Sequence, residues 1–295
     1  MVLNGGHSGK DINKNHGNPI TALGYILTKI NSKNKINLNF IDGGTWVTAI
    51  PRKAGCIITS SPINDDELKE FFSKFQEQLQ DRFKNPSISV KYTQIPTKNL
   101  AFSNKDSLSI IDYISKFPSG PILTHKNNSE SLLSANLGTV FFDDKGNLLL
   151  ENSIRSNISP ELTEQFIDKL KNIESSKYNL STEEIFDFPG YFQEKDTPFI
   201  KYLIKKYNKV FGNDPIVKDE HFMLECAWFS QKIPDLQYVS ISPNIENPHS
   251  PYERVSISSM EKMWEFIQEV SKDLGKDKNL EKKGDERDNN IKCNL

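Results

Sequence analysis

Five histidines, His7, His16, His125, His221 and His249, are the side chains here best suited to proton transfer or metal ligation near neutral pH. No two stand four apart and no His-Glu-x-x-His string occurs, so local spacing does not build a metal site. His7 sits in Gly5-Gly6-His7-Ser8-Gly9, where glycines let the backbone approach a ligand closely. His249 lies in Asn247-Pro248-His249-Ser250-Pro251, a proline-fixed turn just past an expected buried strand, where an α/β layer places active-site groups. On these features alone the ordinary reading, a structural or surface histidine, outweighs the chemical one for both. Cys56, Cys226 and Cys293 are odd in number and far apart, which excludes a disulfide framework and a zinc knuckle and fits a reducing, cytoplasmic compartment.

The elements that must position these residues follow from periodicity. Asn18-Pro19 starts a helix over 18–31 with Ile20, Leu23, Ile26, Leu27 and Ile30 on one face. Strands are expected over 36–41, 46–50 and 54–60, then a helix capped by Asp65 and Asp66, then a half-buried strand over 87–93. Counting Met1 to Leu3 as a strand stub, the order is β-α-β-β-α-β, that of a ferredoxin-like unit. Beyond it come a helix from Asp106 or Ser107 ended by Pro118-Ser119-Gly120-Pro121, strands over 139–142 and 148–150, and a helix from Ser159-Pro160. After Phe188-Pro189-Gly190-Tyr191 the pattern becomes helix (from Phe199), strand (236–242), and a helix through Leu274 with Ser258 and Glu261 as capping box. Residues 276–295 read as a disordered, mixed-charge tail.

The 295 residues allow about two domains, and 26% charged with 36% hydrophobic residues describe an ordinary globular chain. A net charge of −2 gives no sign of nucleic-acid binding, and the apolar runs are far short of the ~20 residues a bilayer span needs. With neither a basic leader nor a long apolar segment at the N-terminus, no signal peptide is expected.

Seven strings, read in order, carry a resemblance. They are Gly5-Gly6-His7-Ser8-Gly9 with Gly17-Asn18, Gly43-Gly44-Thr45 with Ala49-Ile50-Pro51-Arg52, Asn136-Leu137-Gly138, Ser153-Ile154-Arg155-Ser156, Phe188-Pro189-Gly190, Leu224-Glu225-Cys226, and Pro248-His249-Ser250-Pro251 with Glu253. The chain resembles the aminoacyl-histidine (Xaa-His) dipeptidase group of the carnosinase-like dizinc peptidases over residues 3–274.

That resemblance implies an α+β chain: a ferredoxin-like lid domain with an extended sheet over 1–191, short of its first strand, then the C-terminal α/β remnant of a zinc-peptidase catalytic domain over 192–275. It implies hydrolysis of small dipeptides by metal-activated water, with a pair of zinc ions in the complete enzyme and one partial site at most here. His249 matches a zinc ligand, and His7 the lid histidine that stabilises the tetrahedral oxyanion. Arg155 matches a lid arginine suited to gripping the substrate carboxylate, and Glu225 a glutamate near the substrate. A surface arginine and a capping or solvated carboxylate are their ordinary readings.

The family's remaining metal ligands and general base lie upstream of the lid, so the expectation is an N-terminal segment that is missing and a chain inactive alone. Thr48 stands where relatives carry asparagine, Val47 where they often carry arginine, and Ser242 where glycine is common. The expected partners are a small dipeptide, a second copy of the chain, or the missing half, docked through a patch around Phe199, Leu203, Leu236 and Trp264. The competing reading is a noncatalytic homologue acting as a binding or dimerisation module.

Overall fold

The computed structural model describes residues 1–96, 100–126, 130–185, 187–190, 196–218, 224–233, 235–246 and 253–274. The chain forms two compact units, one built on Met1–Asp187 and the other on Phe188–Asp219 and Met223–Leu295.

The first unit runs β1 (Gly6–His7), α1 (Pro19–Asn31), β2 (Ile36–Gly43), β3 (Ala49–Ile50), β4 (Ala54–Ser60), α2 (Asp65–Phe83), α3 (Asn104–Lys116), β5 (Gly120–Thr124), β6 (Ser131–Phe142), β7 (Leu148–Ser156) and α4 (Pro160–Tyr178). Its main sheet has the order β4-β2-β6-β5, with β7 also paired to β6, and every pairing is antiparallel. Val2 bridges both Lys53 and Ser89. Helix α1 begins where the sequence requires, because the Asn18 side chain accepts the amides of Ile20 and Thr21 and Pro19 has no amide to satisfy. It buries Ile20, Leu23, Ile26, Leu27 and Ile30 against Ile36, Leu38 and Ile41 of β2, Ile111 and Ile114 of α3, and Leu137 and Val140 of β6. Each such side chain contributes about 1.5–3 kcal/mol on burial.

Several expected boundaries move. Asn64, not Asp65 or Asp66, caps α2, its side-chain oxygen accepting the amides of Asp66 and Glu67. Residues 87–93 do not form a regular strand: Gln76 Oε1 takes the Val90 amide and Gln80 Nε2 the Ile88 carbonyl, so α2 side chains occupy groups a ladder would use. Over 46–50 only Ala49 and Ile50 are strand, because the Ala49 amide closes a turn onto Trp46 O. α3 ends at Lys116, and Gly120-Pro121 opens a strand. β6 and β7 each extend well beyond the expected segments, pairing from Leu133↔Ser156 to Phe142↔Leu148.

The second unit contains α5 (Pro198–Phe211), α6 (Cys226–Lys232), the hairpin β8 (Ile245–Glu246) and β9 (Arg254–Val255), and α7 (Ile257–Asp273). Helix α5 packs on α7 through Tyr202, Leu203 and Phe266. Lys206 and Lys209 reach Glu269 across the pair at 3.2 and 2.6 Å. Ser256, two residues before the expected Ser258, caps α7 by accepting the Ser259 amide. The expected strand over 236–242 belongs to no ladder among the described residues. Of the expected patch, Trp264 is exposed while Leu203 is buried. The tail falls outside the described residues, and no helix among those described is long and apolar enough to cross a membrane.

Candidate functional site

Four of the matched strings, spread from residue 5 to residue 156, meet in the first unit. The meeting point is the loop over residues 44–48. Gly44 adopts φ +77°, and a side chain there would run into the carbonyl oxygen of Gly138. Gly138 in turn sits at a bulge between Leu137 and Thr139, and a Cβ on it would lie 2.4 Å from Val47 O. Two glycines therefore let this loop cross directly over β6.

Polar side chains then pin the loop. Asn136, almost fully buried, donates to Val47 O at 3.2 Å and Ala49 O at 2.8 Å, and Ser153 Oγ donates to Val47 O at 3.1 Å. Asn18 donates to Leu137 O at 2.8 Å while its own oxygen caps α1, tying the helix start to the same spot. On the other side β1 pairs with β3, Gly6↔Ile50 and His7↔Ala49. The histidine loop thus rides on a loop held by β6 and β7.

Within it, the His7 amide donates to Asp11 Oδ2 at 2.8 Å, and the His7 Nδ1 accepts the amides of Gly9 at 3.0 Å and Lys10 at 3.2 Å. A ring nitrogen that accepts carries no proton, so the neutral imidazole holds its proton on Nε2, the donor form. Burial works against the Asp11 carboxylate, but the Lys14 ammonium at 2.8 Å and the His7 amide outweigh it and hold its pKa below the ordinary value.

Ser8 is fully buried; both its amide and its hydroxyl donate to Thr48 O, at 3.1 and 2.6 Å. The Ser8 oxygen accepts Arg155 Nε at 3.0 Å. Arg155, near the end of β7, is 5% exposed, and no carboxylate among the described residues pairs with it. Burial alone pulls its pKa below the ordinary value. A desolvated cation with only one such partner is costly, and an anion arriving there recovers that cost.

The structure thus links the segment of His7 to Arg155 through the intervening serine. Thr48 contributes its carbonyl while its side chain is exposed, so exchanging the family's asparagine for threonine leaves this anchoring intact. Glu225 belongs to the second unit, at the position preceding α6, where it is exposed and makes no side-chain cap. His249 lies outside the described residues. Ser8 and Asn136 are the residues of this arrangement that the histidines and cysteines do not point to. Both stand inside matched strings, and that was the available signal.

The comparisons agree with this frame. A family model described as peptidase dimerisation domain matches residues 3–86. The cytosol non-specific dipeptidase of Escherichia coli (strain K12) is 27% identical over 278 residues, covering 92% of this chain and 56% of that protein. The crystal structure of aminoacylhistidine dipeptidase from Vibrio alginolyticus superposes with a TM-score of 0.80 at 25% identity, covering 92% of this chain and 55% of that one. Sheet, crossing loop and sequence therefore give a mixed α/β chain whose fold matches that of a dipeptidase. The chain is similar to M20-type dipeptidases over 92% of its length, and it spans about half the length of the relatives it matches.

Proposed function

We propose that this chain serves a cytoplasmic, zinc-dependent dipeptidase that hydrolyses small dipeptides of the Xaa-His type, with residues 1–191 as a ferredoxin-like lid and 192–275 as the returning part of the catalytic domain. The observation that carries the reading is Arg155, a buried guanidinium without a carboxylate partner among the described residues, joined to the His7 loop. The double bridge of Val2 to Lys53 and Ser89 supports the lid assignment, because it sets an edge-to-edge order expected of a ferredoxin-like sheet. The match to a dimerisation domain supports pairing with a second copy.

In this reading Arg155 grips the terminal carboxylate and fixes the register of the peptide, a positioning contribution. His7 presents Nε2–H to the oxygen that gains charge as the peptide carbon becomes tetrahedral. Its Nδ1, held by two amides, keeps the ring from turning. Glu225 contacts the substrate, and His249 is a zinc ligand. Among the described residues no group of three or more His, Cys, Asp or Glu could hold a metal, so that part of the chain does not by itself make the zinc centre.

Hydrolysis of β-alanyl-histidine with added zinc tests the reading. It should be absent from the 295-residue chain alone and appear when the remaining part of a longer relative is supplied. Turnover by the chain alone that disappears in His249→Ala would contradict it.

A further inference from the structure

We infer that Ser8 is the positioning residue for Arg155: its hydroxyl takes the Nε–H and so commits the guanidinium to meet a peptide carboxylate through its two terminal nitrogens. This rests on the reading of Arg155 as the carboxylate grip.

The polarity of the contact is fixed by chemistry. Thr48 O can only accept, and Arg155 can only donate. The Ser8 hydroxyl, between them at 2.6 and 3.0 Å, must give its one proton to Thr48 and turn a lone pair to Arg155. A guanidinium offers a carboxylate a fork either through Nε and one terminal nitrogen or through both terminal nitrogens. With Nε occupied, only the second remains. Ser8 is fully buried and Arg155 is 5% exposed, so water does not replace the hydroxyl freely. Thr48 O also accepts the Ser8 amide at 3.1 Å, so losing the hydroxyl leaves that carbonyl satisfied and orphans Nε alone. The effect of removing the hydroxyl therefore falls on Arg155. Because Ser8 is adjacent to His7, one residue sets the arginine fork while its neighbour carries the oxyanion donor. A serine here, unlike alanine, ties the contacts to the carboxylate and to the scissile carbonyl of a bound dipeptide to one loop.

The test uses the full chain and the side-chain Nε–H resonance of Arg155 by nitrogen-15 NMR, with N-acetyl-histidine as probe. In the wild type this proton should exchange slowly. Ser8→Ala should speed exchange by roughly tenfold or more and weaken probe binding by roughly tenfold, the equivalent of one hydrogen bond to a charged group. Ser8→Cys, of similar volume but a weaker acceptor, should fall between, and it serves in place of Ser8→Ala should the alanine variant not fold. Unchanged exchange or unchanged affinity in both Ser8 variants, with Arg155→Met abolishing binding, overturns the role of Ser8 and leaves the carboxylate grip standing. Binding unaffected by Arg155→Met, or no binding to the wild type, instead overturns the grip itself.

Discussion

Arg155 on the last strand of the main sheet donates its Nε–H to Ser8 near the N-terminus, 147 positions away in sequence. That contact turns a buried charge into part of the histidine loop.

Asn136 is the principal pin of the crossing loop. Asn136→Ala removes two hydrogen bonds from a buried side chain to partly buried carbonyls and should lower stability by about 2–3 kcal/mol. Urea unfolding checks this; a change under about 0.5 kcal/mol, the size of an ordinary surface substitution, would contradict it.

His7 should be neutral with its proton on Nε2, because Gly9 and Lys10 amides both point at Nδ1. Ring nitrogen-15 shifts report the tautomer directly. A proton found on Nδ1 at neutral pH would remove the geometry proposed for oxyanion binding.

The second unit should be acid-labile. Hydrogen bonds from Lys209, Lys272 and Lys206 hold the Glu269 carboxyl at about 2, against an ordinary 4.5. A depressed folded pKa adds stability that is present above 4.5 and lost as pH falls toward 2. Helix content and the protection of α5 and α7 amides from exchange should therefore decline over that window, and Glu269→Gln should flatten the decline. An unchanged pH profile in the variant would show that the lysines do not act through Glu269.

Zinc should bind the 295-residue chain weakly, since on the proposed reading His249 is the zinc ligand that the chain supplies and the other ligands lie upstream of the lid. Equilibrium dialysis giving tight binding of two ions per chain would contradict this.

Much of this was legible in sequence. Helices α1 and α4 announce themselves through Asn18-Pro19 and Ser159-Pro160 followed by apolar residues at helical spacing, and α5 through the apolar spacing from Phe199 alone. His7 and Arg155 were legible only through the order of the seven strings, since neither lies in a pattern that spacing alone decodes. What sequence did not disclose was tertiary. Gln76 and Gln80 divert the backbone near Ile88 from a ladder, and no local pattern records a side chain arriving from another helix. The bulge at Gly138 and the loop crossing it likewise depend on two distant glycines meeting. Asn64 and Ser256 displaced the expected caps by a residue or two, because several adjacent polar residues could each reach the helix amides.

The central claim is that Arg155 waits for a peptide carboxylate, and a calorimetric titration tests it most directly. β-Alanyl-histidine should bind the chain roughly tenfold or more tightly than its C-terminal amide, and Arg155→Ala should abolish that preference. Equal affinity for acid and amide in the wild type, or a preference that survives Arg155→Ala, would contradict the account.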